Sequence, residues 1–152
     1  MPKIEFSSDM LSGFEVIDEQ HRQIIAAVNK LYDFADDVDF LEVKPLLDQI
    51  IATAASHFGF EESLMKDANY NHGKAYQTIH KILVKRVSNL YAALEQGDKV
   101  LSDLREMLTN WLKYYVNIEA MTFIEDVAEH YNALPVEKRE QKINLMLREF
   151  NL

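Results

Sequence analysis

Two imidazoles and a carboxylate could do chemistry together, in the segment His57-Phe58-x-x-Glu61-Glu62 and in His80 further along. A third imidazole stands upstream in Ile17-Asp18-Glu19-Gln20-His21. Each lies on an apolar stripe of helical spacing. Imidazole and carboxylate groups buried side by side are costly unless something compensates them. A metal ion does so most economically. Histidine nitrogen with carboxylate oxygen suits iron, manganese or zinc. The blander alternative is a set of satisfied core histidines with a surface glutamate.

The elements that must position these groups follow from periodicity. From Asp18 onward apolar positions recur at 21, 24, 25, 28, 31, 32 and 35, which predicts a first helix with Asp18 as N-cap. A second helix is predicted from about Glu42, with Pro45 in its first turn. Its stripe is Leu47, Ile50, Ala54, His57, Glu61 and Leu64. Steps of three and four put His57 and Glu61 on the core side with the leucines. The third helix spans roughly His72 to Gln96 and stops at Gly97, with Tyr76, His80, Leu83, Val87, Leu90 and Leu94 inward. Asp98 can cap a fourth helix with a stripe of Leu101, Leu104, Leu108, Trp111, Tyr115, Ile118 and Thr122, running to about Ala133. After Pro135 comes a last amphipathic segment, 136–150, with Ile143, Leu147 and Phe150 on one face.

These elements predict one all-α domain over 1–152. It is an up-down-up-down four-helix bundle over about 18–133, with an N-terminal arm and an extra C-terminal helix. The length of 152 residues is enough for a proper core. Four Gly and three Pro favour helix. A net charge of -9 repels phosphate backbones and anionic lipid, so neither nucleic acid nor a membrane surface is an expected partner. Without cysteine there is no disulfide, thiolate site or thiol nucleophile. No apolar run approaches the ~20 residues of a membrane span. The amino terminus lacks the apolar region of a secretion signal, so a cytoplasmic location is expected.

The motifs Gly13…Ile17-Asp18-x-Gln20-His21, His57-Phe58-x-x-Glu61-Glu62-x-x-Met65 with Tyr70, His80, and Trp111-Leu112 together resemble those of the hemerythrin family, of the bacterial type. The resemblance covers roughly residues 6–122. It implies a four-helix bundle with a non-haem diiron centre that binds oxygen between the irons. Seven ligands are usual in that family: five His, a Glu and an Asp. By position the resemblance assigns His21 and His57 to one iron, Glu61 as the bridge, and His80 to the other iron.

The departures fall on the second iron. Tyr76, four before His80, and Tyr115, four after Trp111, stand where histidines are usual, and Ala120 replaces the bridging Asp. Asn71 follows Tyr70 where proline is common, and Phe6 stands where tryptophan is usual. A phenolate is a hard anionic ligand that favours ferric iron. Tyrosine is also a good filler with a polar tip. Both readings fit the sequence. On a regular helix Glu119, four after Tyr115, lies about 40° from it, whereas position five lies about 140° away. Glu119 is therefore a candidate replacement carboxylate.

The expected metal set is thus His21, His57, Glu61, His80, Tyr76, Tyr115 and Glu119, holding one or two iron ions, with zinc or manganese also compatible. Dioxygen or another small ligand is the expected partner. Phenolate ligation would oppose simple oxygen carriage and fits redox or oxygen sensing better. Two further functions are weighed: a metal-dependent oxidase or peroxidase, and a vestigial metal-free scaffold. The Glu-x-x-His pairs of ferritin-like enzymes do not occur. His72 and His130 are expected outside the site, and Met65, Met107 and Met121 are read as packing residues.

Overall fold

Four stripes of apolar residues at steps of three and four can leave water together only by facing a common axis. The structure, a computed structural model, describes residues 3–152; for 118–124 it describes the backbone alone. The helices are α1 (Glu15–Lys30), α2 (Phe40–Asp67), α3 (Gly73–Glu95), α4 (Leu101–Asn132) and α5 (Val136–Glu149). Short 3-10 turns occupy Ser8–Met10 and Leu31–Asp33, and no strand occurs among the described residues. α1 packs on α2, α2 on α3, α3 on α4, and α4 returns to α1, which closes an up-down-up-down bundle. The fifth helix lies across α2 and α4. No described helix is long and apolar enough to cross a membrane.

The core has two lobes. One gathers Ile24, Val28, Leu31, Leu47, Ile50, Leu104 and Leu112. The other gathers Ile17, Phe58, Phe60, Leu64, Met65, Tyr76, Leu83, Tyr115, Val127 and Tyr131, and it surrounds the buried polar cluster. Ile143, Met146, Leu147 and Phe150 of α5 pack against this second lobe. Gly59 permits the approach: a Cβ there would stand 2.4 Å from Cε1 of Phe150.

Helix ends explain several differences from the periodicity. Asp18 does not cap α1, which begins three residues earlier with Phe14 at the N-cap. Its side chain is buried and Oδ1 accepts the N–H of Ser12 at 2.8 Å, tying the arm to α1. The arm is pinned again at Ile4, whose N–H and carbonyl both bond the Asn29 side chain (2.9 and 2.8 Å). α2 starts at Phe40, so Pro45 is its sixth residue and lies beyond the first turn. The carbonyl of Leu41 that thereby loses a donor belongs to an exposed residue, where water serves. Asp98 does not cap α4 either; Val100 holds that position. Ala35 is exposed because α1 has ended, and Phe34 packs on the core instead.

The α3 stop is as predicted. Gly97 has φ +97°. The N–H groups of Gly97 and Asp98 bond the carbonyls of Leu94 and Ala93 at 3.0 Å each, a Schellman ending. Asn69 at φ 53° closes α2 in the same way, with Tyr70 N–H on the Met65 carbonyl at 2.9 Å.

Candidate metal centre

Three helices deliver the cluster because each carries its polar group where a leucine would otherwise sit. His57 and Glu61 are one helical turn apart on α2 and fully buried; His21 of α1 and His80 of α3 are 2% and 3% exposed. Nε2 of His57 lies 2.6 Å from Oε1 of Glu61, and Nε2 of His21 lies 3.1 Å from Nε2 of His57 and 3.7 Å from the same oxygen. The other carboxylate oxygen faces α3 and α4. Oε2 is 3.4 Å from Nε2 of His80 and accepts from the Tyr115 hydroxyl at 3.2 Å. That hydroxyl is also hydrogen-bonded to Nε2 of His80. Glu61 thus joins two half-sites, one oxygen in each.

The remaining ring nitrogens fix the tautomers. Nδ1 of His57 meets Oε1 of Gln20 at 2.6 Å, and Nδ1 of His80 meets Oε1 of Glu62 at 3.2 Å. Both partners are acceptors, so each Nδ1 carries the hydrogen and each Nε2 of a neutral ring turns its lone pair inward. Gln20 and Glu62 are not among the residues that the sequence marks as ligands. Their signal was adjacency: each directly neighbours a candidate ligand, one position out of the inward stripe.

Protonation suits a cation. Burial alone would raise the Glu61 carboxyl, but the imidazoles facing it, His57 first and then His21 and His80, outweigh it and hold it well below the ordinary carboxylate range. Burial pushes His57 down toward its neutral form, against the pull of Glu61. An ionised carboxylate beside a neutral imidazole is the state that metal ligation requires. Burial, then the Glu61 charge, raises the Tyr115 phenol well above its ordinary 10.

The donor set can be tested against an ion. Ligand atoms about 2.1 Å from one ion stand about 3.0 Å apart at a right angle and about 3.4 Å apart at the tetrahedral angle. The 2.6, 3.1 and 3.7 Å edges of the His21–His57–Glu61 triangle bracket those values. Within it Oε1 of Glu61 has no aligned hydrogen-bond donor although it is buried. A buried anion without a donor, facing two imidazole nitrogens, fits a cation. His21, His57 and Glu61 form a group able to hold one.

Residues 12–134 match the hemerythrin HHE cation binding domain. The chain belongs to the hemerythrin family. It is similar to the bacteriohemerythrin of Pseudomonas aeruginosa, with 28% identity over 140 residues, 92% of either chain. It is also similar to the bacteriohemerythrin of Stenotrophomonas maltophilia, with 30% identity over 132 residues, 87% of this chain and 86% of the other. A shorter match is to the bacteriohemerythrin of Methylococcus capsulatus, 30% over 100 residues. The hemerythrin family binds iron, and the buried His21, His57 and Glu61 of this chain form a group that could hold a metal ion.

The other expected residues are placed as follows. Tyr76 is buried, its ring 6.2 Å from that of Tyr115 and 6.4 Å from that of His80, centre to centre. Phe58 stacks on His80 at 4.0 Å, and Trp111 stacks on Tyr115 at 5.1 Å. Glu119, Ala120 and Met121 lie outside the residues whose side chains are described. His72 is exposed before α3, and His130 sits 3.8 Å from Asp67, away from the cluster. Met65 is buried packing, and Tyr114 is 71% exposed, which leaves Tyr115 as the inward member of that pair.

Proposed function

We propose that this protein holds non-haem iron at the His21–His57–Glu61 cluster and serves in redox or oxygen sensing, with dioxygen or a comparably small molecule as its ligand. The observation that carries this reading is the buried Oε1 of Glu61, without an aligned donor and 2.6 Å from Nε2 of His57. Iron bound there would supply one-electron redox chemistry and an open position for a small ligand.

The chain's own residues do the rest. Gln20 and Glu62 hold the imidazoles of His57 and His80 in orientation. Phe58, Tyr76 and Trp111 wall the cluster with rings that exclude water. Beside Phe58 runs an apolar cavity of about 60 Å³, lined by Ile24, Ala54, Leu83, Leu108 and Trp111 among others. Its size and lining suit a small uncharged molecule better than an ion. Phe150 packs against Gly59, two residues from both His57 and Glu61, so α5 is well placed to report a change at the centre.

The test is anaerobic loading with ferrous iron, followed by air and then by a mild reductant. Retained iron with a reversible visible spectrum, accompanied by altered hydrogen exchange in α5, is expected. A protein that retains no iron, or whose iron ignores air, overturns the proposal.

A further inference from the structure

The two half-sites of Glu61 are not equivalent. In the first, Oε1 has no aligned donor. In the second, the described polar atoms pair with one another: Oε2 of Glu61 with the Tyr115 hydroxyl, that hydroxyl with Nε2 of His80, and Nδ1 of His80 with Glu62. The single phenolic proton lies between His80 and Glu61. It can be donated to only one of these two acceptors at a time, and an ion ligated by the phenol oxygen would have to displace it. The phenol rings of Tyr115 and Tyr76 occupy the space around it, 6.2 Å apart. Of the two iron positions that the family resemblance implies, one thus has a donor set without an aligned donor on Oε1, and the other has a tyrosine hydrogen-bonded to its histidine.

We propose that the protein carries one metal ion, held by His21, His57 and Glu61, and that Tyr115 hydrogen-bonded to His80 stands in place of a second. This rests on the iron-binding reading above and narrows it. Two imidazoles and one carboxylate on a single ion form a set with open positions, the arrangement used by mononuclear non-haem iron. Small neutral or anionic molecules are the class of ligand such positions accept. Tyr115 and His80 then act as positioning residues. Their hydrogen-bonded pair holds Oε2 of Glu61, which leaves Oε1 for the ion.

The experiment uses the full chain purified from iron-rich medium, with iron and zinc counted per chain. Ferric protein is examined by electron paramagnetic resonance and visible absorption. One ion per chain is expected, with a half-integer-spin signal that accounts for all the iron. Tyr115→Phe should keep that stoichiometry and the visible spectrum, and His80→Ala should still bind one ion. Two ions per chain, a fully loaded but resonance-silent ferric protein, or a phenolate band abolished in Tyr115→Phe would overturn the single-ion assignment. Those results leave the iron-binding reading intact. Absence of any bound metal defeats both. Should Tyr115→Phe fail to fold, the stoichiometry and resonance of the unaltered protein still decide.

Discussion

Across the α1–α2 interface, Nδ1 of His57 donates to Oε1 of Gln20 at 2.6 Å. This one bond sets which nitrogen of a fully buried imidazole turns toward Glu61. Without it the ring could exchange tautomers or rotate, and Nε2 would no longer be held beside the carboxylate.

Gln20→Ala should therefore lower metal affinity by about 10–100-fold, the usual effect of removing an outer hydrogen-bond partner. Gln20→Glu keeps an acceptor on Nδ1 and should recover most of the affinity. Competition against a chelator of known strength, with zinc as the probe, measures both. Equal affinities in all three proteins would refute the positioning role.

Metal should also register as stability. A ligand at 100 times its dissociation constant adds about 2.7 kcal/mol to the folded state. For a chain of this length that corresponds to a rise of roughly 5–10 °C in Tm. Ferrous iron or zinc should produce that rise in the unaltered protein, and a chelator should reverse it. In His57→Ala the rise should vanish. A rise of the same size in His57→Ala would mean that the ion binds elsewhere.

Gly59 and Phe150 should show a change of sign. A Cβ at position 59 meets the Phe150 ring at 2.4 Å, so Gly59→Ala should loosen α5 and cost about 1–3 kcal/mol. In a Phe150→Ala background the obstacle is gone, and the better helix propensity of alanine should stabilise α2 by up to about 1 kcal/mol. Denaturant unfolding of the four proteins gives the cycle. Additive effects would show that the two residues do not meet.

Acid should release α5 through Asp67. Its carboxylate accepts from Tyr131 at 2.8 Å and from Lys142 at 3.2 Å, which joins α2, α4 and α5. Burial alone would raise this carboxyl, but the Tyr131 hydroxyl and the Lys142 ammonium outweigh it and hold it below its ordinary 3.8. A carboxyl lowered on folding contributes stability above its unfolded value and loses it as pH falls through the folded one. Hydrogen-exchange protection of α5 should thus decline as pH drops below about 4. Asp67→Asn should have weaker protection at neutral pH and a flatter acid response. An unchanged acid response in Asp67→Asn would remove this carboxylate from the account.

Much of the site was legible before any coordinates. His57 and Glu61 share a face because they are four residues apart on one helix, and that arithmetic needs no partner helix. His21 and His80 fell on stripes that also carry the core residues Ile24, Val28, Leu83 and Leu94, so their burial followed. The cap residues were less legible. Asp18 and Asp98 are good caps in isolation, yet one is occupied by the arm and the other lies in a loop, because packing moved the helix ends.

Local spacing determined by itself the helical class and the inward direction of three imidazoles and a carboxylate. These depend on periodicities of three and four residues within single segments. Only the tertiary structure decided that Gln20 and Glu62 take the outer nitrogens, that the Tyr115 hydroxyl meets His80 and Glu61, and that one oxygen of Glu61 has no aligned donor. Each of these is a contact between different helices or a tautomer set by one. Its existence depends on how far one helix slides and turns against the next, which is a property of the packed core and of no single segment.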